Sequence, residues 1–75
     1  MTALLVTDDL LEYEVRSVLA SVAVAIHDLA VFAIDGRVRL CGIADSYPQK
    51  RRAEELTRAV DGVRQVINQL RIMPS

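Results

Sequence analysis

The sequence predicts an α+β fold: an α/β sandwich in the order α-β-β-α-β, with two helices on one face of a three-stranded mixed sheet. Three observations carry that expectation. Residues 29–42, Leu-Ala-Val-Phe-Ala-Ile-Asp-Gly-Arg-Val-Arg-Leu-Cys-Gly, are two strand-like runs joined by Asp35-Gly36. Asp-Gly between apolar runs is the strongest short-range hairpin signal, because a type I′ turn needs positive φ at both central residues. Apolar stripes at helical spacing precede and follow this hairpin. A final segment, 63–72, can supply the third strand.

Each element has its own reason. Residues 1–7 are a lead-in, in which Thr2 to Val6 either adds an edge strand or packs loosely. The first helix begins near Asp8 or Asp9. Asp9 and Glu12 have capping-box spacing, and acids in a first turn suit the helix dipole. Leu11, Val15, Val18, Leu19 and Val22 form its apolar stripe, and it ends between Ala20 and Val22. His27-Asp28 reads as the loop before the first strand, Leu29 to Ile34. The second strand, Val38 to Ile43, alternates: Val38, Leu40 and Gly42 point one way, and Arg37, Arg39 and Cys41 the other. The first strand does not alternate, since Val31, Phe32, Ala33 and Ile34 are all apolar.

The second helix runs from Tyr47 to Val60. Ser46 with Gln49 is a capping box, and Pro48 fits the first turn. Ala53, Leu56, Ala59 and Val60 form the buried stripe, and Gly62 takes the left-handed C′ position. In the third strand, Val63 to Ile72, the residues Val66, Asn68, Leu70 and Ile72 share one side. Gln65, Ile67, Gln69 and Arg71 share the other. The sequence leaves open whether this strand pairs with the first or the second.

Seventy-five residues make one domain, 1–75 with a core from 8 to 72. A chain this short buries roughly 60–65% of the surface it exposes when unfolded, so stability calls for a good core or a partner. One cysteine excludes an internal disulfide, and one histidine beside it cannot complete a structural zinc site. No metal and no cofactor are expected. Apolar residues make up 52% of the chain, more than a small core hides, which points to a sticky face. The net charge of −1 provides no long-range field for nucleic acid or anionic membranes. No apolar run approaches the ~20 residues of a membrane span. A basic n-region and a cleavage site are also missing, so the chain is expected to be cytoplasmic. A leader removed earlier would make it periplasmic.

The ordered set Asp35-Gly36-x-Val38-x-Leu40-x-Gly42, a capped helix, then Gly62-Val63-x-x-Val66-x-Asn68-x-Leu70 resembles the BON domain, the bacterial osmotic-stress and nodulation module. The similarity runs from Leu10 to Ile72. The resemblance implies a non-enzymatic module, usually found as tandem copies in exported envelope proteins or fused to other domains. It also implies phospholipid binding or the bridging of proteins at membranes. Related modules help build secretion-system rings, and some cytoplasmic members accompany ligand-sensing domains. Against that common pattern the present chain is expected to carry one copy, with no leader and no fused domain.

Candidate sites follow from the faces. If Val38, Leu40 and Gly42 face the helices, then Phe32, Ile34, Cys41 and Ile67 face away, rimmed by Arg37, Arg39, Gln65, Gln69 and Arg71. An apolar centre with an Arg and Gln border has the makeup of a protein interface. A first strand shifted by one residue would instead put Phe32 and Ile34 in the core. Lys50-Arg51-Arg52 at the start of the second helix is a weaker candidate for anionic lipid, because Glu54 and Glu55 share its solvent face. Cys41 is an ordinary small apolar residue in a reducing compartment. A lone His27 has no companions for catalysis or metal binding, and Tyr13 either shields a neighbouring subunit or lies free on the surface. Asp35, Gly36, Gly42 and Gly62 are backbone devices. Asn68, among apolar positions, is a structural polar residue bonded to backbone near a helix end.

No nucleophile–base pair can be assembled, and no small-molecule substrate is indicated, so an enzyme is the poorest reading. Three aromatics and no Gly-x-x-Gly loop argue against nucleic acid. The leading expectation is a homo-oligomer or a protein-docking module working through the sheet face. The alternative is a peripheral phospholipid-binding or ligand-sensing domain.

Overall fold

The computed structural model describes residues 7–22 and 24–74 of the chain, so the expectation for Thr2 to Val6 lies outside the described residues. The elements are α1 (Asp8–Ser21), β1 (Ile26–Ile34), β2 (Arg37–Ala44), α2 (Tyr47–Arg58) and β3 (Gln65–Ile72). The sheet order is β1-β2-β3. β1 and β2 are antiparallel, and β2 and β3 are parallel. This is the α+β architecture with a mixed sheet, and β2 is the neighbour of β3.

The hairpin turn has φ of 51° at Asp35 and 82° at Gly36, the type I′ geometry expected of Asp-Gly. It sets Ile34 opposite Arg37, Phe32 opposite Arg39 and Val31 opposite Leu40. Val31, Ala33, Val38 and Leu40 are therefore buried, while Phe32 and Ile34 are exposed.

β1 begins three residues earlier than the sequence suggests and carries a bulge. His27 pairs with Ile43 and Ala30 with Cys41, so Asp28 and Leu29 together stand against Gly42. Asp28 takes φ of 54°. One extra residue reverses the alternation. Leu29, Val31 and Ala33 face inward on one side of the bulge, and Ile26 packs against the core on the other. His27 is therefore a strand residue rather than a loop residue. Gly42 makes the bulge possible. It has φ of 137°, and a Cβ there would lie 2.8 Å from the His27 carbonyl oxygen and 3.0 Å from that of Asp28.

Two helix caps differ from expectation. Thr7 is the N-cap of α1, its hydroxyl accepting from Leu10 N–H at 3.1 Å, so Asp9 is already helical and Glu12 is free for another task. Ser46 is the N-cap of α2 but makes no side-chain cap bond with that helix. α2 ends at Arg58 with Ala59 as its C-cap, which leaves Gly62 (φ 97°) in the turn before β3 rather than at C′.

The core joins Leu11, Val15 and Leu19 of α1, Ala53 of α2, and Val31, Ala33, Val38, Leu40 and Leu70 of the sheet. Ala59 is exposed, not part of the α2 stripe. Thr57 is fully buried there instead, and its hydroxyl donates to Ala53 O at 2.7 Å. That internal bond meets the polar demand of burial without a tertiary partner.

Gly42→Ala combines a strained φ with a clash against backbone that cannot rotate away. It is expected to lower unfolding free energy by about 2 kcal/mol or more, read as a lower urea midpoint at unchanged m-value.

Candidate functional site

The sheet face opposite the helices is a grid of four rows set by the register. Ile34, Arg37 and Gln65 form the row at the turn end. Phe32, Arg39 and Ile67 come next, then Ala30, Cys41 and Gln69, and finally His27, Ile43 and Arg71. Its apolar centre is open to solvent: Phe32 is 45% exposed, Ile34 63% and Ile67 38%. With Arg37 and Arg39 they line a shallow depression of about 220 Å³. The Arg39 guanidinium lies 5.1 Å from the Phe32 ring centroid. An exposed cation–π pair of this kind contributes about 0.5–1 kcal/mol. Cys41 is half-buried, with its thiol 3.8 Å from Gln69 Oε1.

The charge on this face is one-sided. Arg37, Arg39 and Arg71 occupy it, and no register position in the four rows carries an acid. The nearest acids in sequence are Asp28 in the bulge, Asp35 in the turn and Asp45 after β2. Among the described residues none of the three arginines makes an ion pair. At the far end His27 Nε2 and Asp45 Oδ1 are 2.8 Å apart.

The sheet edges are treated differently from the face. An edge strand offers unpaired N–H and C=O groups to any passing chain. α1 covers several of those on β1. Glu12 Oε2 accepts from Ala33 N–H at 2.9 Å, Asp8 Oδ1 from Asp35 N–H at 3.1 Å, and Arg16 donates to Leu29 O at 3.4 Å. On β3, Asn68 Oδ1 accepts from Leu70 N–H at 3.1 Å, while its Nδ2 donates to Lys50 O and to Glu54 Oε1. Asn68 thus ties β3 to the first half of α2. The sequence pointed to Asn68 as a structural residue. It held no sign of the roles of Asp8, Glu12 and Arg16, because those depend on where α1 lies beside β1.

The basic run is partly self-paired. Arg51 lies 3.7 Å from Glu55, and Arg58 lies 2.7 Å from Glu54. Lys50 and Arg52 make no ion pair among the described residues. Among the described residues no group of three or more His, Cys, Asp or Glu is placed to hold a metal ion. Among the described residues no helix is long and apolar enough to cross a membrane.

The result is a small sheet covered on one side, with part of its edges engaged and an apolar patch left open on the other face. The chain belongs to the BON domain family, whose model matches residues 7–74, nearly its whole length and in a single copy. This is a family of binding domains, associated with lipids or proteins. No curated protein matches the chain.

Asn68→Ala removes three hydrogen bonds at a half-buried site and frees the Leu70 donor. A loss of about 1–3 kcal/mol in unfolding free energy is expected, measured by chemical denaturation.

Proposed function

We propose that the chain is a non-enzymatic docking module whose open sheet face joins copies of itself or receives a protein partner. The observation that carries this reading is the contiguous Phe32–Ile34–Ile67 patch, exposed and bordered by arginines that make no ion pair among the described residues. Burying such a patch returns roughly 25 cal/mol per Å² of apolar area, and arginine with aromatic side chains is the pairing enriched at interface hot spots. Membership of a binding-domain family supports the same class of function.

A second reading has one observation in its favour. The first turn of α2 holds no acid, and Ser46 makes no side-chain cap bond, while Lys50, Arg51 and Arg52 follow directly. An anionic headgroup there would answer both the helix dipole and the local charge. The Glu54 and Glu55 carboxylates on the same helix work against it.

Two measurements separate the readings. Light scattering at high micromolar concentration is expected to give a dimer or larger species, and Phe32→Glu to give a monomer. A wild-type monomer that also captures no protein through this face would sink the docking reading. Flotation with anionic vesicles at low salt tests the second reading, and binding lost in a Lys50, Arg51, Arg52→Ala variant would establish it.

A further inference from the structure

We infer that self-association, if it uses the open sheet face as argued above, is head-to-tail: the outer face of α1 in one copy lies on the sheet face of the next. The argument rests on that docking reading and begins with charge. Two sheet faces packed together would bring Arg37, Arg39 and Arg71 of both copies into one contact with no acid at any row position of either face. Like charges drawn together out of water are strongly unfavourable.

α1 offers the complement. It carries four acids against one arginine, in Asp8, Asp9, Glu12, Glu14 and Arg16. Asp8 and Glu12 are engaged with β1, but Asp9 and Glu14 make no hydrogen bond or ion pair among the described residues. The helix also exposes apolar surface in the same region, with Leu10 at 44% and Tyr13 at 68%. Positions 10, 13 and 17 are three and four residues apart and share one side of a helix. Ser17 and Ala20 leave the rest of that side small, so a neighbouring backbone can approach closely.

The sizes agree. Fourteen residues make a helix of about 21 Å, and eight residues of strand extend about 26 Å. A helix ~10 Å across spans the two inter-strand spacings, ~4.8 Å each, of a three-stranded sheet. A helix laid there would repeat on the open side what α1 and α2 do on the covered side. Because the two surfaces differ, the contact is heterologous and produces closed rings or open chains rather than an isolated two-fold dimer.

The test uses two single variants and their mixture. Tyr13→Arg spoils the α1 surface and leaves the sheet face, while Phe32→Glu does the reverse. Each alone is expected to weaken self-association about tenfold or more, the effect of losing one central aromatic anchor. An equimolar mixture is expected to form a 1:1 heterodimer and stop, because it holds one sound interface; that recovery also establishes that both variants fold. Sedimentation velocity reads all three. Lower salt should strengthen wild-type assembly, since opposite charges meet. If Phe32→Glu is monomeric but Tyr13→Arg assembles like wild type, the contact is sheet to sheet; the inference is then overturned while the docking reading stands. If both variants assemble like wild type, both ideas fall. A mixture no larger than its parts, a wild-type monomer at high micromolar concentration, or assembly that strengthens with salt overturns the head-to-tail arrangement.

Discussion

Backbone lies directly against backbone where the β1 bulge meets Gly42, and the two-sided use of β1 depends on that approach. The carbonyls of His27 and Asp28 occupy the space that any side chain at position 42 would need. Because the extra residue is absorbed there, Ile26 and Leu29 both face the core although their numbers have opposite parity. Without the bulge, a strand nine residues long would bury one end and misdirect the other. The same geometry leaves Ala30, Phe32 and Ile34 in line on the open face, joined by His27 beyond the bulge.

One-sided coverage leaves a single sheet face open to solvent. Two helices blanket a single face, and their side chains also reach round to the edges. Glu12 and Arg16 occupy groups on β1 and Asp8 the Asp35 donor in the turn after it, while on β3 its own Asn68 occupies the Leu70 donor. Pairing by strand addition is discouraged at these points, while the flat face is left uncovered. The division of charge fits this plan. Acids gather on α1 and arginines on the sheet face, so a chain with a net charge of −1 still presents two strongly contrasting surfaces.

Parts of this site were legible in the residues. Alternation in β2 separates Val38 and Leu40 from Arg37 and Arg39, but the unbroken apolar run of β1 left the face of Phe32 and Ile34 open, and only the pairing register places them on the arginine side. Asn68 was legible because a polar residue among apolar strand positions must find partners. Capping-box spacing locates the start of α2 at Ser46 but not its side-chain bond, and it fails for Asp9 with Glu12, because many exposed residues meet that spacing by chance. Thr7, two residues before Asp9, is the cap instead, and Glu12 bonds β1. Thr57 escaped notice because a threonine that satisfies itself through the carbonyl four residues back carries no outward sign of burial.

Sequence alone determined the order of the elements, the type of turn and the alternation of β2, because these rest on short-range sterics and period. Tertiary structure decided what needed distant residues to meet. It placed β3 beside β2, set the bulge against Gly42 and brought the α1 carboxylates to the edge of β1. Such contacts join positions roughly fourteen to thirty residues apart, and no local preference of the chain encodes which of several compatible pairings closes the core.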